Sequence, residues 1–166
     1  TTLFRSQGAD VHWYPDNIGC ATSWNIGLQK VEDGELDCLI IFSPSCNFDK
    51  GTPEDLAAMI ADHEKENKED FYIVPGPYHT DTHCFAITKK GVDLVGIFDE
   101  NFYPVYFEDT DYIYRQKLLG STRYILNFER SDWGLNLGVT KDERIWKKYL
   151  HNAQRIHDYY IYKWGG

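Results

Sequence analysis

The sequence predicts an α/β fold in which helices flank a mixed, mostly parallel sheet. Short apolar runs alternate along the chain with segments of helical apolar spacing, the order found in layered α/β domains. The run Cys38–Phe42 contains no polar residue, as in a strand covered on both faces, and we predict a central parallel strand there. Ligands of such folds bind beyond the carboxyl ends of the strands. The expected site therefore lies in the loops after Tyr14, Phe42 and Phe107.

Local patterns predict the elements of the first half. Val11–Tyr14 is a β-prone run that ends at Pro15, and we predict a strand there. Helical spacing follows in the apolar residues Ala21, Trp24, Ile26 and Leu28. Thr52 is a suitable N-cap for the next helix, because Pro53 fits the first position and two acidic residues follow near the positive end of the dipole. The charged run over residues 64–70 predicts a solvated helix face.

Two strands, a helix, an extended segment and a long closing helix are predicted in the second half. They are expected at Phe71–Val74, Cys84–Thr88, Asp109–Leu119, Tyr124–Leu126 and from Glu143 onward. Thr140 and Glu143 form a capping box, and apolar residues then recur at helical spacing as far as Tyr160.

Composition excludes several function classes. The 166 residues suffice for one domain, and 17 basic against 26 acidic side chains give a net charge of -9. A negative net charge is unfavourable for binding the phosphate backbone of a nucleic acid, so no nucleic-acid partner is expected. No apolar stretch approaches the roughly 18 residues of a membrane span, and the four cysteines form no CxxC pair. We expect a soluble, cytoplasmic protein with reduced thiols.

The densest polar cluster consists of Glu108, Asp109 and Asp111, which follow an aromatic stretch over residues 102–107. Carboxylates this close raise one another's pKa, which suits a general base. The alternative is that these acidic residues cap the start of a helix.

Three blocks carry a family resemblance. Gly96–Tyr103 together with Tyr106–Arg115 resembles the "G-x-F-D-E-x-F … E-D-x-D … R" block of the family 2 glycosyltransferases, which have the Rossmann-like GT-A fold. Asn17–Gly19 with Trp24–Gly27 resembles the "N-x-G … N-x-G" segment of the family. The ending Tyr159–Gly166 is similar to its "Y-Y … K-W-G-G" ending.

The resemblance implies transfer of a sugar, with inversion, from a nucleotide-sugar to a hydroxyl of an oligosaccharide or glycan acceptor, with a UDP-sugar as the default donor. Asp109 matches the catalytic base, which removes the acceptor proton. Glu108 and Asp111 would orient the acceptor or cap the helix. Arg115 would pair with one of these acids rather than touch substrate.

Further positions are candidates for substrate contacts. Asn17, Gly19 and Asn25 are expected to bind the donor, because glycine permits close backbone approach and an amide can read a nucleotide or sugar edge. The alternative is a helix-capping Asn beside a core Trp. Ser43 and Ser45 are expected near the donor as well, and Trp133 lies in a predicted turn where it could contact the acceptor.

The chain departs from the family pattern at its metal motif. Members carry an acidic Asp-x-Asp or Asn-x-Asp where this chain has Ser43–Ser45, and hydroxyls are weak ligands for Mn2+ or Mg2+. The metal is recruited otherwise, the diphosphate is stabilised without metal, or the protein is inactive. His79 and His83 are weak metal candidates, which could instead reach the diphosphate or lie in a polar loop.

The family's first strand and its nucleotide-reading loop would precede Thr1. We therefore expect residues 1–166 to be a single glycosyltransferase-like domain of a longer polypeptide. Two rival functions remain open: a catalytically inactive domain of this type that binds carbohydrate or a partner protein, and a zinc hydrolase built on His79, Asp81 and His83.

Overall fold

A computed structural model describes residues 11–43, 46–48, 51–75, 83–132 and 143–165. Within these ranges the chain forms five helices and six strands. The helices are α1 (Cys20–Glu32), α2 (Pro53–Glu66), α3 (Lys89–Val95), α4 (Glu108–Leu119) and α5 (Glu143–Trp164). The strands are β1 (Cys38–Phe42), β2 (Cys46–Phe48), β3 (Phe71–Ile73), β4 (Cys84–Thr88), β5 (Arg123–Ile125) and β6 (Arg130–Asp132).

The main sheet has four strands in the order β1-β4-β3-β5. Strand β4 is antiparallel to both β1 and β3, whereas β3 and β5 are parallel. The α/β class is confirmed, but the prediction of a mostly parallel sheet with β1 at its centre is wrong. Helices cover both faces of this sheet. An uninterrupted apolar run therefore indicates that a strand is buried on both faces, but it does not indicate whether the strand is parallel or antiparallel to its neighbours. Strands β2 and β6 form a separate antiparallel pair.

Alternate residues of each strand face two separate cores. One core holds apolar side chains of α1, α3 and α4, against which Phe71 and Phe85 pack. The other lies under α2, where Leu56 and Ile60 meet Tyr72 and Cys84. The sheet is thus the middle of three layers, which is the arrangement that the alternating pattern predicted.

Several predicted elements are confirmed and others are wrong. Thr52 caps α2 through a reciprocal capping box with Asp55, because this signal is entirely local. Val11–Tyr14 forms no strand. The run over residues 64–70 is more than a solvated face, because Asp70 is buried and pairs with Lys90 at 2.8 Å. Helix α3 and the β2–β6 pair were not predicted. Thr140 lies outside the described residues.

No helix in the described ranges combines the length and the apolar character that crossing a bilayer requires. The four cysteines all lie in the described ranges, and none of them forms a disulfide there.

Candidate functional site

A pocket of about 220 Å³ opens where β1 ends and where α1 and α4 begin. Its lining comprises Cys20, Trp24, Ile41, Phe42, Ser43, His83, Val105, Tyr106, Glu108 and Asp109. Two of the three loops expected to carry the site, those after Phe42 and Phe107, therefore meet in it. We call it the acidic pocket.

The backbone ahead of α4 turns Glu108 and Asp109 into this pocket. Tyr106 and Phe107 both have positive φ angles, 85° and 67°, a left-handed conformation that non-glycine residues adopt rarely. The carbonyl of Phe107 then accepts a hydrogen bond from the amide of Asp111 at 2.8 Å, which starts the helix. Two adjacent acids therefore lie in the first helical turn at the pocket wall.

Glu108 is an interior carboxyl group, with only 4% of its surface exposed. The thiol of Cys20 donates a hydrogen bond to it, and its Oε2 atom has no hydrogen-bond partner among the described residues. Burial raises the pKa of Glu108 to about 7, and the charge of Asp109 adds to the rise against hydrogen bonds that lower it. Desolvation is thus the larger cause of the rise in the pKa of Glu108, and the charge of Asp109 contributes to it.

Asp109 is half-buried beside Glu108. Its Oδ1 atom accepts hydrogen bonds from the amide of Thr110 at 2.7 Å and from the Thr110 hydroxyl at 3.3 Å. The other oxygen makes no hydrogen bond within the described ranges. This is the geometry of a carboxylate that is fixed through one oxygen and open through the other.

The structure overturns the prediction that Asp111 binds the acceptor. Asp111 is fully buried, and its Oδ2 atom accepts a hydrogen bond from Arg115 Nε at 3.0 Å. Its Oδ1 atom accepts from Trp164 Nε1 at 2.9 Å and lies 2.7 Å from Lys163 Nζ. An acceptor sugar cannot reach either oxygen. The expected pairing of Arg115 with an acid of this cluster is confirmed.

The donor-binding prediction for Asn25 is also wrong, because its side chain is buried and engaged. Its amide group donates to the carbonyl of Phe98 and to Glu100 Oε1, each at 2.9 Å. Its Oδ1 atom accepts from the amide of Phe98 at 2.9 Å. Trp24 packs edge-on against the same Phe98 ring. Trp24 packs against the core as the alternative predicted, but Asn25 lies within α1 and binds the Phe98 loop instead of capping a helix.

Asn17 and Gly19 lie next to the acidic pocket and do not line it. Asn17 Oδ1 accepts from the amide of Gly19 at 2.9 Å, and its carbonyl accepts from the Tyr103 hydroxyl at 2.8 Å. Gly19 has a φ of 86°, and a Cβ there would approach a Tyr103 ring carbon to 2.9 Å. The amide of Cys20 donates to the carbonyl of Pro104 at 2.8 Å. The close backbone approach expected at Gly19 is therefore to a neighbouring loop.

Ser43 and His83 line the acidic pocket together with the two acids. The amide of Ser43 donates to the carbonyl of His83 at 2.7 Å, which joins the end of β1 to the start of β4. Ser45, His79, Asp81 and Trp133 lie outside the described residues. In the part of the chain that is described, no three His, Cys, Asp or Glu side chains group as metal ligands. Among these residues, the site does not fit a divalent ion.

A polar network at the closing end of the chain was missed by the sequence patterns. Lys163 lies 2.8 Å from Asp99 Oδ2 and also contacts Asp111, so it joins α5 to the loop before α4 and to α4 itself. Burial raises the pKa of Asp99, but hydrogen bonds from Lys163, Asn101 and Tyr159 outweigh it and lower that pKa to about 2. The family resemblance singled out the segments that contain Asp99 and Lys163, and this was the available signal. Nothing in the sequence indicated that these two segments contact each other.

A comparison with curated proteins supports a relationship to glycosyltransferases. The chain is 36% identical over 103 residues to a galactofuranosyl glycosyltransferase from Leishmania donovani. The match covers 55% of this chain and 23% of that relative's length. No family model matches the sequence. No solved structure matches it either.

Proposed function

We propose that this chain carries the acceptor-activating part of an inverting glycosyltransferase of the GT-A type. The observation that carries the proposal is the pairing, in one pocket, of an open carboxylate at Asp109 with a buried carboxyl at Glu108. The relative's name adds support for sugar transfer, and it makes a galactofuranosyl nucleotide the first donor to test. A UDP-sugar is the default donor.

In the proposed reaction, an acceptor hydroxyl enters the acidic pocket and attacks the anomeric carbon of the donor. The new carbon–oxygen bond forms as the bond to the nucleoside diphosphate breaks, and the hydroxyl proton passes to the open oxygen of Asp109. Glu108, whose pKa is raised to about 7, is about half in its neutral form near that pH. It can donate a hydrogen bond to the acceptor without adding a second negative charge beside Asp109.

The leaving diphosphate requires positive charge or hydrogen-bond donors. In this class of transferase a divalent ion, Mn2+ or Mg2+, usually supplies it. The described residues do not provide a ligand set for such an ion, and Ser43 brings only a hydroxyl. The proposal therefore routes no step through a metal.

The experiment is a titration calorimetry panel of UDP-galactofuranose, UDP-galactopyranose, UDP-glucose and GDP-mannose, with and without Mn2+, followed by measurement of nucleotide release with carbohydrate acceptors. We expect one UDP-sugar to bind. Asp109→Asn should retain that binding and lower turnover about 10²–10⁴-fold, the usual contribution of a general base. The matched control is Asp62→Asn, at an exposed surface pair, which should leave turnover unchanged.

Two outcomes would contradict the proposal. Normal turnover in Asp109→Asn would exclude this residue as the base. Carbohydrate binding by the wild type without nucleotide binding would favour the alternative of an inactive, carbohydrate-binding domain.

A further inference from the structure

A second and larger pocket, of about 350 Å³, lies beside the acidic pocket. It is lined by Asn17, Tyr103, Pro104, His151, Asn152 and Arg155. Three of these residues belong to α5, whose face closes the pocket from one side. We call it the amide pocket.

The two pockets are adjacent along one loop. Tyr103 and Pro104 line the amide pocket, and the next two residues, Val105 and Tyr106, line the acidic pocket. An extended chain spans at most about 3.3–3.6 Å per residue. The amide of Cys20, which lines the acidic pocket, is hydrogen-bonded to the carbonyl of Pro104. A molecule that occupies one pocket therefore needs to extend only a short distance to reach the other.

The lining combines flat apolar surface with paired donors and acceptors. Tyr103, a residue that is 44% exposed, is followed by Pro104. Asn17 uses its Oδ1 atom on Gly19, which leaves its amide nitrogen as a donor. Asn152 offers a donor and an acceptor together. A sugar ring has apolar faces and hydroxyl edges, and this lining complements both.

Charge argues for a neutral ligand. Among the described residues of the lining, Arg155 is the one permanent cation, and it already donates to the carbonyl of Tyr103 at 2.9 Å. The chain as a whole carries a net charge of -9, which disfavours a polyanionic acceptor.

We propose that the amide pocket binds neutral sugar units of the acceptor that adjoin the unit reacting in the acidic pocket. This inference rests on the proposed function, because it assigns the acceptor of that same transferase as an oligosaccharide rather than a single sugar.

The test measures binding of neutral hexose oligosaccharides, from single sugars to hexasaccharides, by calorimetry, with the ring signals of His151 followed by NMR as a local reporter. Transfer onto each acceptor is measured in parallel. Asn152→Ala should weaken binding of the longer oligosaccharides about tenfold, as expected for the loss of about one hydrogen-bonding group. Binding of single sugars and of the UDP-sugar should not change. Gln154→Ala, on the same helix but outside the pocket, is the matched control.

Each other outcome overturns the inference. An equal loss for single sugars and long chains would remove the extended subsite, and so would failure of every oligosaccharide to bind at millimolar concentration. Binding of inorganic pyrophosphate that is lost in Arg155→Gln, with no effect on sugars, would make the pocket an anion site. Failure of the proposed function would give a different result from failure of this inference. Sugar binding that depends on Asn152 would persist, but no nucleotide-sugar would be turned over.

Discussion

Glu108 places an ionisable oxygen without a described hydrogen-bond partner in the interior of the fold. Its pKa is raised by burial to about 7, above the unfolded value of 4.5. Between these two pH values the folded state binds more protons than the unfolded state, so stability falls as the pH rises. A buried acid of this kind makes the fold less stable at neutral pH than an uncharged group would.

Replacement by an uncharged isostere should show this dependence. Glu108→Gln changes the free energy of unfolding. We expect this change to be about 2 kcal/mol more favourable at pH 8 than at pH 5. Urea denaturation at both pH values measures the difference. The same effect at both pH values would mean that packing, and not ionisation, controls the stability change.

Gly19 allows two loops to approach each other closely. Its positive φ alone disfavours a side chain, and a Cβ would also meet the Tyr103 ring. Gly34 provides a matched comparison, since its φ is 77° but no atom lies within 4 Å of a Cβ placed there. Both positions have a positive φ, and a Cβ would clash at Gly19 but not at Gly34.

We expect Gly34→Ala to lower the free energy of unfolding by about 1 kcal/mol, the conformational cost alone. Gly19→Ala should lower it by about 2–4 kcal/mol, because overpacking is added to that cost. Thermal and urea denaturation of both variants test this. Equal losses would mean that the Tyr103 loop moves away freely and does not hold the site.

At the level of elements, α5 holds helix α4 in place. Lys163 bridges Asp99 and Asp111, and the second of these is fully buried one turn after the start of α4. Removing Lys163 from this network takes one positive charge away from two carboxylates and leaves Arg115 as the cation beside Asp111. Helix α4, and the two acids at its start, therefore depend on a residue close to the end of the chain.

The corresponding variant is Lys163→Met, which keeps the aliphatic stem and removes the charge. We expect it to lower the free energy of unfolding by about 3 kcal/mol. Lys147→Met, at an exposed i,i+4 pair with Glu143 on the same helix, should cost less than about 0.5 kcal/mol. Similar values for the two variants in urea denaturation would show that the bridge does not fix α5 to α4.

The elements also show where prediction from the sequence succeeds. The start of α2 was predictable, because Thr52 and Asp55 cap each other within one turn. The direction of β1 was not, because its antiparallel partner is β4, more than forty residues later. Asp109 lay at the pocket as expected, but the neighbouring Asp111 is held by Lys163 and Trp164 from the other end of the chain. Their contact depends on tertiary packing, which local patterns do not encode.

At the scale of the molecule, ion pairs of shielded carboxylates in the described ranges set the response to acid. The pKa of Asp99 is about 2, below its unfolded value of 3.8. The pKa of Asp70 is lowered too, because hydrogen bonds from Lys90 and Thr122 outweigh the effect of burial. Groups with lowered pKa stabilise the fold above their unfolded pKa, and this contribution is lost as the pH falls towards the folded value.

We expect the wild-type protein to lose stability between pH 4 and pH 2 for this reason. Asp99→Asn should be less stable than wild type by about 2 kcal/mol at pH 7, and the gap should nearly close at pH 2. Urea denaturation at both pH values gives the comparison, with Asp62→Asn as an exposed control. A gap that does not change with pH would indicate lost hydrogen bonds rather than a lost charge.

The left-handed backbone at Tyr106 and Phe107 has a consequence for engineering. Each such residue costs about 1–3 kcal/mol, and the pair immediately precedes the two acids. Glycine at either position would relieve that cost. The Phe107 ring, however, packs against His157 and Tyr160 of α5, and the loss of that packing in Phe107→Gly would offset the relieved strain. The contact of this ring with α5 therefore holds the strained backbone that orients the two acids.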